Sequence, residues 1–499
     1  MKSRCLAAVV ILFLYNFLVL ADTKNNYSLN VNREAFFDAE PPSYLLGTVI
    51  VESNSKKEDV NTESNSNNKA EDDFIVTRTS NIENEAGNDK RIIPPVSPQT
   101  VSLTEAAKLI ISHHPRIGQV QSAAKGEEEM INVAKSTYYP QIKGGIGARY
   151  DNNGSNRYDK DYIQSIDLEI KQTIYDFGKT ANAVKSAEYG YLGAEAYVAA
   201  THEELIYTAT SAVVSIVKYQ KLIELSKAQV KQVASIGRLV EQRHTKGASN
   251  LSDLLQANSR LDAVKSEELI TSSQQQSQLR NLGLLIGKPN LNSASINRLP
   301  QELSQACSLP SEWGDIPQIK IAEFESQKAM ADLERAGADE LPTVSLQGGT
   351  SRPLNATSRY GSKFESSVSL NVTVPFYQGG GLSANKRATA NRAQSAAARK
   401  DEVKLEITQR LSETAVRLQF MLQREQLLAQ QVENLRGTKE LYKKQYLELG
   451  TRSLLDLLNS EQEFHQAQVE VESNKSEIIQ AQLDCAFYKG KLRQYFNLF

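Results

Sequence analysis

The sequence predicts an α+β fold that is built twice, with amphipathic strands and very long helices in each half. Three observations predict it: landmark residues recur about 200 positions apart, apolar and polar residues alternate in four segments, and proline is absent over two long stretches. None of the 14 prolines falls between Pro140 and Pro289 or after Pro375. Because proline breaks helix interiors, both stretches can form continuous helices.

The recurrence of landmark residues indicates a tandem internal duplication. A period near 200 residues is far longer than that of solenoid repeats, so each copy is expected to be a whole subdomain. We place the first repeat at 101–300, a linker at 301–316 and the second repeat at 317–499. The pairs at a shift of 202 are Pro115 with Pro317, Ile117 with Ile319, Ala134 with Ala336, Pro140 with Pro342, Tyr175 with Tyr377, and Gly178 with Gly380; those at 203 are Gly247 with Gly450, Leu251 with Leu454, and Asp253 with Asp456.

The start of the chain has the features of an export signal. Lys2 and Arg4 precede an apolar stretch that ends in the small-residue site Val19-Leu20-Ala21. This pattern predicts a signal peptide over 1–21, with a membrane anchor as the alternative. Residues 22–100 are polar and show no hydrophobic period, so we expect a largely disordered extension there.

Each repeat is expected to contain the same series of elements. A helix comes first, two strands follow, and a helix of nearly 70 residues, ~100 Å long at 1.5 Å per residue, turns at a glycine into a returning helix. The opening helices are expected at Leu103–Thr137 and Ile319–Ala338, the long helices from Gly178 to about Thr245 and from Gly380 to about Leu447, and the returning helices from Leu251 to about Ile286 and from Ser453 to about Tyr495.

The four alternating segments are expected to cross a membrane as β-structure. About ten residues are enough for a tilted strand to span a bilayer. Four strands cannot close a barrel, which needs about eight, and open sheet edges are unstable in lipid. Three chains would supply twelve strands and twelve long helical stretches, which predicts a membrane barrel continued as a helical tube. The residues expected to face lipid are Ile166, Leu168, Ile170, Val368, Leu370 and Val372.

The composition excludes several classes of function. With 57 Lys and Arg against 59 Asp and Glu, the chain has no basic field to hold nucleic acid. Its three cysteines cannot form a disulfide scaffold or a multi-cysteine zinc site, and the sequence leaves open whether Cys307 and Cys485 pair. Gly379-Gly380-Gly381 lacks the Lys-Ser/Thr of a phosphate loop. We therefore expect no enzyme activity, no cofactor and no metal.

Four motifs resemble those of TolC-type outer-membrane efflux proteins. Tyr175–Gly178 and Phe376–Gly380 are similar to that family's strand-to-helix signature, and Lys246–Leu255 and Leu449–Asn459 to its helix turns. The resemblance covers about residues 100–499. It implies a homotrimer with a 12-stranded outer-membrane barrel, a long periplasmic α-barrel and an equatorial collar. Such a channel exports small toxic compounds or secreted proteins, together with a periplasmic adaptor and an inner-membrane transporter of the ABC, RND or MFS type.

The resemblance also implies roles for residues at the helix turns. The arginine of the second turn links to the Ser-Asp pair of the adjacent first turn and closes the tunnel, and an aspartate one turn later forms an anionic ring. Asn459 and Leu447 depart from the family, which can carry an aspartate and a tyrosine there. The alternative to a gate is that the charged residues at these turns are only solvated charges at helix ends. The expected gate residues are Ser252, Asp253, Arg452, Asp456 and Asn459, and the expected adaptor-docking residues are Gly247, Leu251, Gly450 and Leu454.

A soluble periplasmic coiled-coil adaptor or scaffold is the alternative function. Long helices suit it equally well, but it has no use for four alternating strands of matched parity. Carbonate extraction of membranes distinguishes the two, because a barrel stays in the membrane until detergent is added. The cargo is not readable from the residues, and drug efflux and type I protein secretion both fit them.

Overall fold

The computed structural model of the protein describes residues 99–151, 161–310, 312–354 and 364–498. The expected signal peptide and all but the last two residues of the expected extension lie outside the described residues. In chain order the elements are β1 (Gln99–Ser102), α1 (Leu103–His113), α2 (Pro115–Lys135), β2 (Gln141–Asp151), β3 (Asp161–Tyr175), α3 (Lys179–Thr245), α4 (Leu251–Leu285), β4 (Leu291–Ser295), α5 (Pro317–Ala338), β5 (Thr343–Pro353), β6 (Glu365–Thr373), α6 (Gly381–Lys444), α7 (Leu454–Tyr488) and α8 (Leu492–Tyr495).

The duplication seen in the sequence is present in the structure. Helices α2 and α5 begin at Pro115 and Pro317, and helices α3 and α6 begin at Lys179 and Gly381, in both cases 202 residues apart. A proline fits the first helical turn because its missing N–H has no partner to lose there. Helices α4 and α7 begin 203 residues apart, so one extra residue enters the second copy before its turn.

The opening helix of the first repeat is broken, which corrects the single helix expected over Leu103–Thr137. Helix α1 stops at His113, and His114 is extended, with φ −73° and ψ 124°. The residue before a proline is driven out of the helical region, so Pro115 ends one helix and begins the next. A 3-10 turn at Ser136–Tyr138 then leads into β2.

One antiparallel sheet contains the strands β2, β3, β5 and β6 in that order. Ile146 lies opposite Ile166, and Leu346 lies opposite Leu370, so directly paired apolar residues share one face. The alternation predicted from the sequence therefore extends across all four strands. Within the described residues, β2 and β6 each have one neighbouring strand, and they form the two edges of the sheet.

The long helices form two antiparallel hairpins. Helices α3 and α4 make the first hairpin and helices α6 and α7 the second, and the two hairpins join where α3 packs on α7. The order across this layer is therefore α4, α3, α7, α6. Helix α3 has 67 residues and helix α6 has 64, so each is ~100 Å long. No described helix is both long and apolar enough to span a membrane.

The ends of the second hairpin differ from the expected ones. Helix α6 was expected to run to about Leu447, but its α-helical part stops at Lys444 and a π-helical turn follows at Gln445–Leu449. A π-turn holds one residue more than an α-turn, which accommodates the extra residue of this copy. Helix α7 was expected to reach Tyr495, but it stops at Tyr488 because Gly490 adopts φ +62° and ends the helix.

The main hydrophobic core lies midway along the hairpins, where α1, α3, α4 and α7 meet the segment that joins the repeats. Strands β1 and β4 pair in parallel beside it. A disulfide joins Cys307 in that segment to Cys485 on α7, which is 178 residues away in sequence. The two cysteines whose pairing the sequence left open are therefore bonded, and they tie the linker to the second repeat.

Candidate functional site

The apolar face of the sheet carries all six residues that were expected to face lipid. Val368, Leu370 and Val372 on β6 are 80%, 66% and 61% exposed, and Ile166 and Ile170 on β3 are also exposed. Leu168 lies between them on the same face and is partly covered. Exposed apolar side chains in such number on one face are typical of a surface that contacts a membrane or another protein chain.

The opposite face of the sheet is polar and hydrogen-bonded. Gln347 Nε2 donates to Glu169 Oε1 at 2.6 Å, and Asn371 Nδ2 donates to Gln347 Oε1 at 3.0 Å. Lys143 lies directly opposite Glu169 in the register of β2 and β3. The sheet is therefore amphipathic, with hydrogen-bonded polar side chains on one face and exposed apolar side chains on the other.

Most of the exposed apolar side chains of the helical layer lie on its two outer helices, α4 and α6. Among the described residues, the inner helices α3 and α7 each expose one large apolar side chain, whereas α4 and α6 expose eleven between them. The sheet likewise ends at β2 and β6, each of which has one edge without a neighbouring strand among the described residues. Both sides of the protomer can therefore be covered by neighbouring copies. The exposed residues are Leu251, Leu255, Leu269, Ile270 and Leu284 on α4, and Leu405, Val416, Phe420, Leu422, Leu427 and Leu441 on α6.

The first helix turn holds the expected gate residues Ser252 and Asp253 in a capping network. Asn250 Oδ1 accepts hydrogen bonds from Asp253 N and from Ser252 Oγ, both at 2.8 Å. Ser249 Oγ donates to Asp253 Oδ2 at 2.8 Å. Gly247 has φ +72°, the left-handed conformation expected where the helix turns. The Asp253 carboxylate is thus oriented by its own turn.

The second helix turn holds Arg452 against its own chain. Its guanidinium lies 4.4 Å from the ring centre of Tyr442, its Nε donates to Gln445 Oε1 at 3.2 Å, and its Nη1 lies 3.9 Å from Asp456 Oδ2. Asp456 also pairs with Ser453 in a capping box at the start of α7. Among the described side chains of one protomer, no contact joins Arg452 to Ser252 or Asp253. Arg452 and the Ser252–Asp253 pair are therefore not linked within the described part of one protomer.

The contact that joins the two turns inside one protomer was missed at the sequence level. Arg243 near the end of α3 donates from Nη1 to the Tyr446 carbonyl at 3.2 Å, and its guanidinium lies 5.0 Å from the centre of the Tyr446 ring. Burial raises the pKa of the Tyr446 phenol, and the Arg243 charge opposes that shift. The π-turn places Tyr446, rather than Leu447, in the core between the hairpins. The change of repeat spacing from 202 to 203 was the sequence signal that could have revealed this π-turn, and with it the contact between Arg243 and Tyr446.

The four residues expected to dock an adaptor are not equally accessible. Leu251 is 57% exposed at the first turn, but Leu454 is only 3% exposed because it packs on Leu457 and Leu458 inside the hairpin. Leu454 is therefore withdrawn as a docking residue. Its neighbour Leu455 is exposed instead.

The remaining expected gate residue, Asn459, joins the two returning helices. Its Oδ1 accepts a hydrogen bond from Arg260 Nη2 on α4 at 3.3 Å. Asn459 also lines a groove of about 430 Å³ between α6 and α7. Asn459 therefore connects the two hairpins within this protomer, and it adds no charge to the surface at this position.

Comparison with protein families finds one match that covers most of the chain. The family model described as outer membrane efflux protein matches residues 106–288 and 315–490. The alkaline protease secretion protein AprF of Pseudomonas aeruginosa is 23% identical over 68% of this chain and 72% of its own length. The proteases secretion protein PrtF of Dickeya chrysanthemi is 22% identical over 80% of this chain and 90% of its own length.

Solved structures share this fold at low sequence identity. The Campylobacter jejuni CmeC outer membrane channel superposes with a TM-score of 0.69 at 16% identity, over 78% of this chain and 85% of that one. The outer membrane protein VceC of Vibrio cholerae superposes with a TM-score of 0.68 at 18% identity, over 78% of this chain and 96% of that one.

Proposed function

The chain belongs to the outer membrane efflux protein family and forms an export channel of the outer membrane, and we propose that this channel is a homotrimer that secretes proteins. The assembly is supported by an amphipathic sheet with open edges and by apolar helix faces at both sides of the protomer, and the cargo is supported by the described relatives. A soluble adaptor is excluded as the alternative, because the family and the fold are those of outer-membrane channels.

The two kinds of open edge support closure of several copies into a ring, for which we propose three copies. Edge β6 of one copy pairs with edge β2 of the next, and the exposed side chains of α6 cover those of α4 that lie beyond its first turn, at Leu269, Ile270 and Leu284. Such head-to-tail contacts generate a ring when the rotation closes. Twelve strands then form a barrel without free edges, which is the form in which a sheet can cross lipid.

The names of two relatives support protein cargo over small molecules. AprF and PrtF are described as protease secretion proteins, and each covers about two thirds or more of this chain. We therefore expect an adaptor and an ABC-type transporter as partners. Deleting the gene should remove one or more proteins from the culture medium, and the complemented strain should restore them. Unchanged secreted proteins together with increased dye retention would instead indicate small-molecule efflux.

The gate is proposed to form between turns of adjacent copies. Arg452 is half exposed at the second turn, and it reaches the oriented Asp253 carboxylate only when a neighbouring first turn lies beside it. Exposed ion pairs contribute only ~0–1 kcal/mol each. Three such links together can keep the tunnel closed, and each is weak enough to break when the tunnel opens. Asp456, repeated three times, would add an anionic ring that attracts cations.

Conductance in planar bilayers tests this gate. Arg452→Ser combined with Asp253→Ala should raise the single-channel conductance of intact trimers, because both partners of the link are removed. Asp456→Ala should reduce the preference for cations and the block by multivalent cations. Asp262→Ala, an exposed carboxylate farther along α4, is the control and should change neither quantity. An unchanged double variant would remove Arg452 and Asp253 from the gate.

The adaptor is proposed to dock on the exposed leucines of the tips. Leu251 and Leu255 lie at the first turn, and Leu449 and Leu455 at the second. A photo-crosslinker at Leu455 should capture the adaptor in cells, while one at the buried neighbour Leu454 should not. Equal crosslinking at both positions, or none at Leu455, would contradict docking at this surface.

A further inference from the structure

The segment that joins the repeats crosses the helical layer on one side. We call residues 291–310 and 312–316 the equatorial band. Its strand β4 packs on α3, its Cys307 is bonded to Cys485 on α7, and its Trp313 ring lies 5.2 Å from Lys404 Nζ on α6. A chain that crosses successive helices of a duct wall must run on its outer surface, because the inner surface has to stay open. The band therefore faces the periplasm.

A basic cleft of about 370 Å³ lies on one side of the band. Lys218 and Lys221 from α3, Arg298 from the band, and Lys475 from α7 surround an apolar floor. Lys221 and Lys475 pair with carboxylates of their own helices, at 2.9 Å in both cases. Among the described residues, no carboxylate lies within ion-pair distance of Lys218 or Arg298. Two cations of the cleft thus have no ion-pair partner in the described part of the chain, while the Glu472 carboxylate, which also lines the cleft, is paired with Lys475.

A second cleft of about 480 Å³ adjoins the first on the other side of the band. It is lined by amide, hydroxyl and carboxylate groups and by two aromatic residues, Tyr495 and Phe496, and Arg298 and Leu299 line both clefts. An aromatic ring packs against the C–H face of a sugar, while amides and a carboxylate bind its hydroxyl and acetamido groups. The polar lining is formed by Thr104, Gln301, Glu302, Gln494, Tyr495 and Asn497.

We propose that these two clefts bind the peptidoglycan of the cell wall. Amino sugars would lie in the second cleft, which we call the amide cleft, and the carboxylates of a peptide stem would lie at Lys218 and Arg298. Peptidoglycan is an amino-sugar polymer with carboxylate-bearing side peptides, so it presents both chemistries close together. The clefts lie 39 residues along α3 from its start at Lys179, ~60 Å from the strands, which places them in the periplasm that the duct has to traverse.

Co-sedimentation of the purified full-length trimer with protein-free peptidoglycan sacculi tests the proposal. Lys218→Glu combined with Arg298→Glu should weaken binding at least tenfold. Lys227→Glu combined with Lys231→Glu is the matched control, because these exposed lysines lie farther along the same helix, and it should bind like the native protein. Circular dichroism and trimer content should be native in both variants. Equal weakening in both would identify non-specific charge attraction and overturn the site.

Two further binding experiments test the chemistry of the ligand. Gln494→Ala combined with Asn497→Ala should also weaken binding severalfold, since both side chains are exposed in the amide cleft. Sacculi whose stem carboxylates have been amidated should bind the native protein as weakly as native sacculi bind the Lys218→Glu, Arg298→Glu variant. Undiminished binding in either arm would overturn the proposal. The export activity does not enter this readout, so the failure of one claim is distinguishable from the failure of the other.

Discussion

Val214 on α3 and Val416 on α6 are the same residue at the same position of the two repeats, yet they are 3% and 54% exposed. The helices that carry them differ in the same way. Twenty of the 67 residues of α3 are buried, against seven of the 64 residues of α6. The duplication thus produced two similar helices, of which one lies inside the protomer and one at its edge.

This difference shows how a duplicated chain can build a ring. Helix α3 is covered by α2, α4, α5 and α7 of its own chain, whereas the described helices that pack on α6 are α5 and α7. An edge helix that remains apolar is stable in water only if another molecule covers it. We therefore assign the exposed apolar side chains of α6 to contacts within the proposed trimer, whereas the buried side chains of α3 stabilise the protomer itself.

Charging the edge should have the largest effect. In Phe420→Asp combined with Leu427→Asp, the protomer should fold normally because both side chains are exposed in it. Closure of the ring would bury unpaired carboxylates, each at a cost of several kcal/mol, so trimers should disappear from native gels. Gln232→Asp, which places a carboxylate at an exposed polar position of the inner helix α3, is the control. Normal trimers in the double variant would contradict the assigned edge.

A charge on the lipid face of the sheet should have the next largest effect. Leu370→Arg should cost ~2–4 kcal/mol per copy at the bilayer midplane and reduce the amount of assembled trimer in membranes. Ser369→Arg places the same charge on the polar face of the same strand and should assemble. If the two variants assembled equally well, the orientation of the sheet would be wrong.

The smallest effects should come from the two valines themselves. Val214→Ala should lower the free energy of unfolding of the protomer by ~2 kcal/mol, because it removes buried methyl groups and leaves a cavity. Val416→Ala should change that quantity by less than ~0.5 kcal/mol, as expected for a surface substitution. It should instead lower the detergent concentration at which trimers dissociate. Equal effects of both changes on unfolding would remove the distinction between α3 and α6.

Local patterns in the sequence predicted most of the fold. Alternation between residues such as Val368 and Ser369 specifies a strand with two different faces, and the long stretches without proline specify the hairpins. Both signals arise from neighbours in the chain, so no distant contact is needed to read them. Gly247 and Gly450 marked the turns for the same reason, since a left-handed residue there ends each helix.

Features that depend on distant contacts could not be predicted in this way. Leu251 and Leu454 match in the duplication, but only the packing of the second hairpin shows that Leu454 is buried. The pairing of Cys307 with Cys485 requires the linker to cross α7, and no local pattern reports that crossing. The contact of Arg243 with Tyr446 depends on the π-turn, which the sequence showed only as a one-residue change of spacing.

The most direct test of a pore built from pooled strands is the accessibility of two adjacent positions on β6. Ser369→Cys and Val368→Cys each introduce a thiol, while the Cys307–Cys485 disulfide leaves neither of those sulfurs free to react. In planar bilayers, a charged thiol reagent added from the aqueous side should reduce the single-channel current of Ser369→Cys and leave that of Val368→Cys unchanged. Reaction at Val368→Cys alone, or the absence of channels from either variant, would contradict the account.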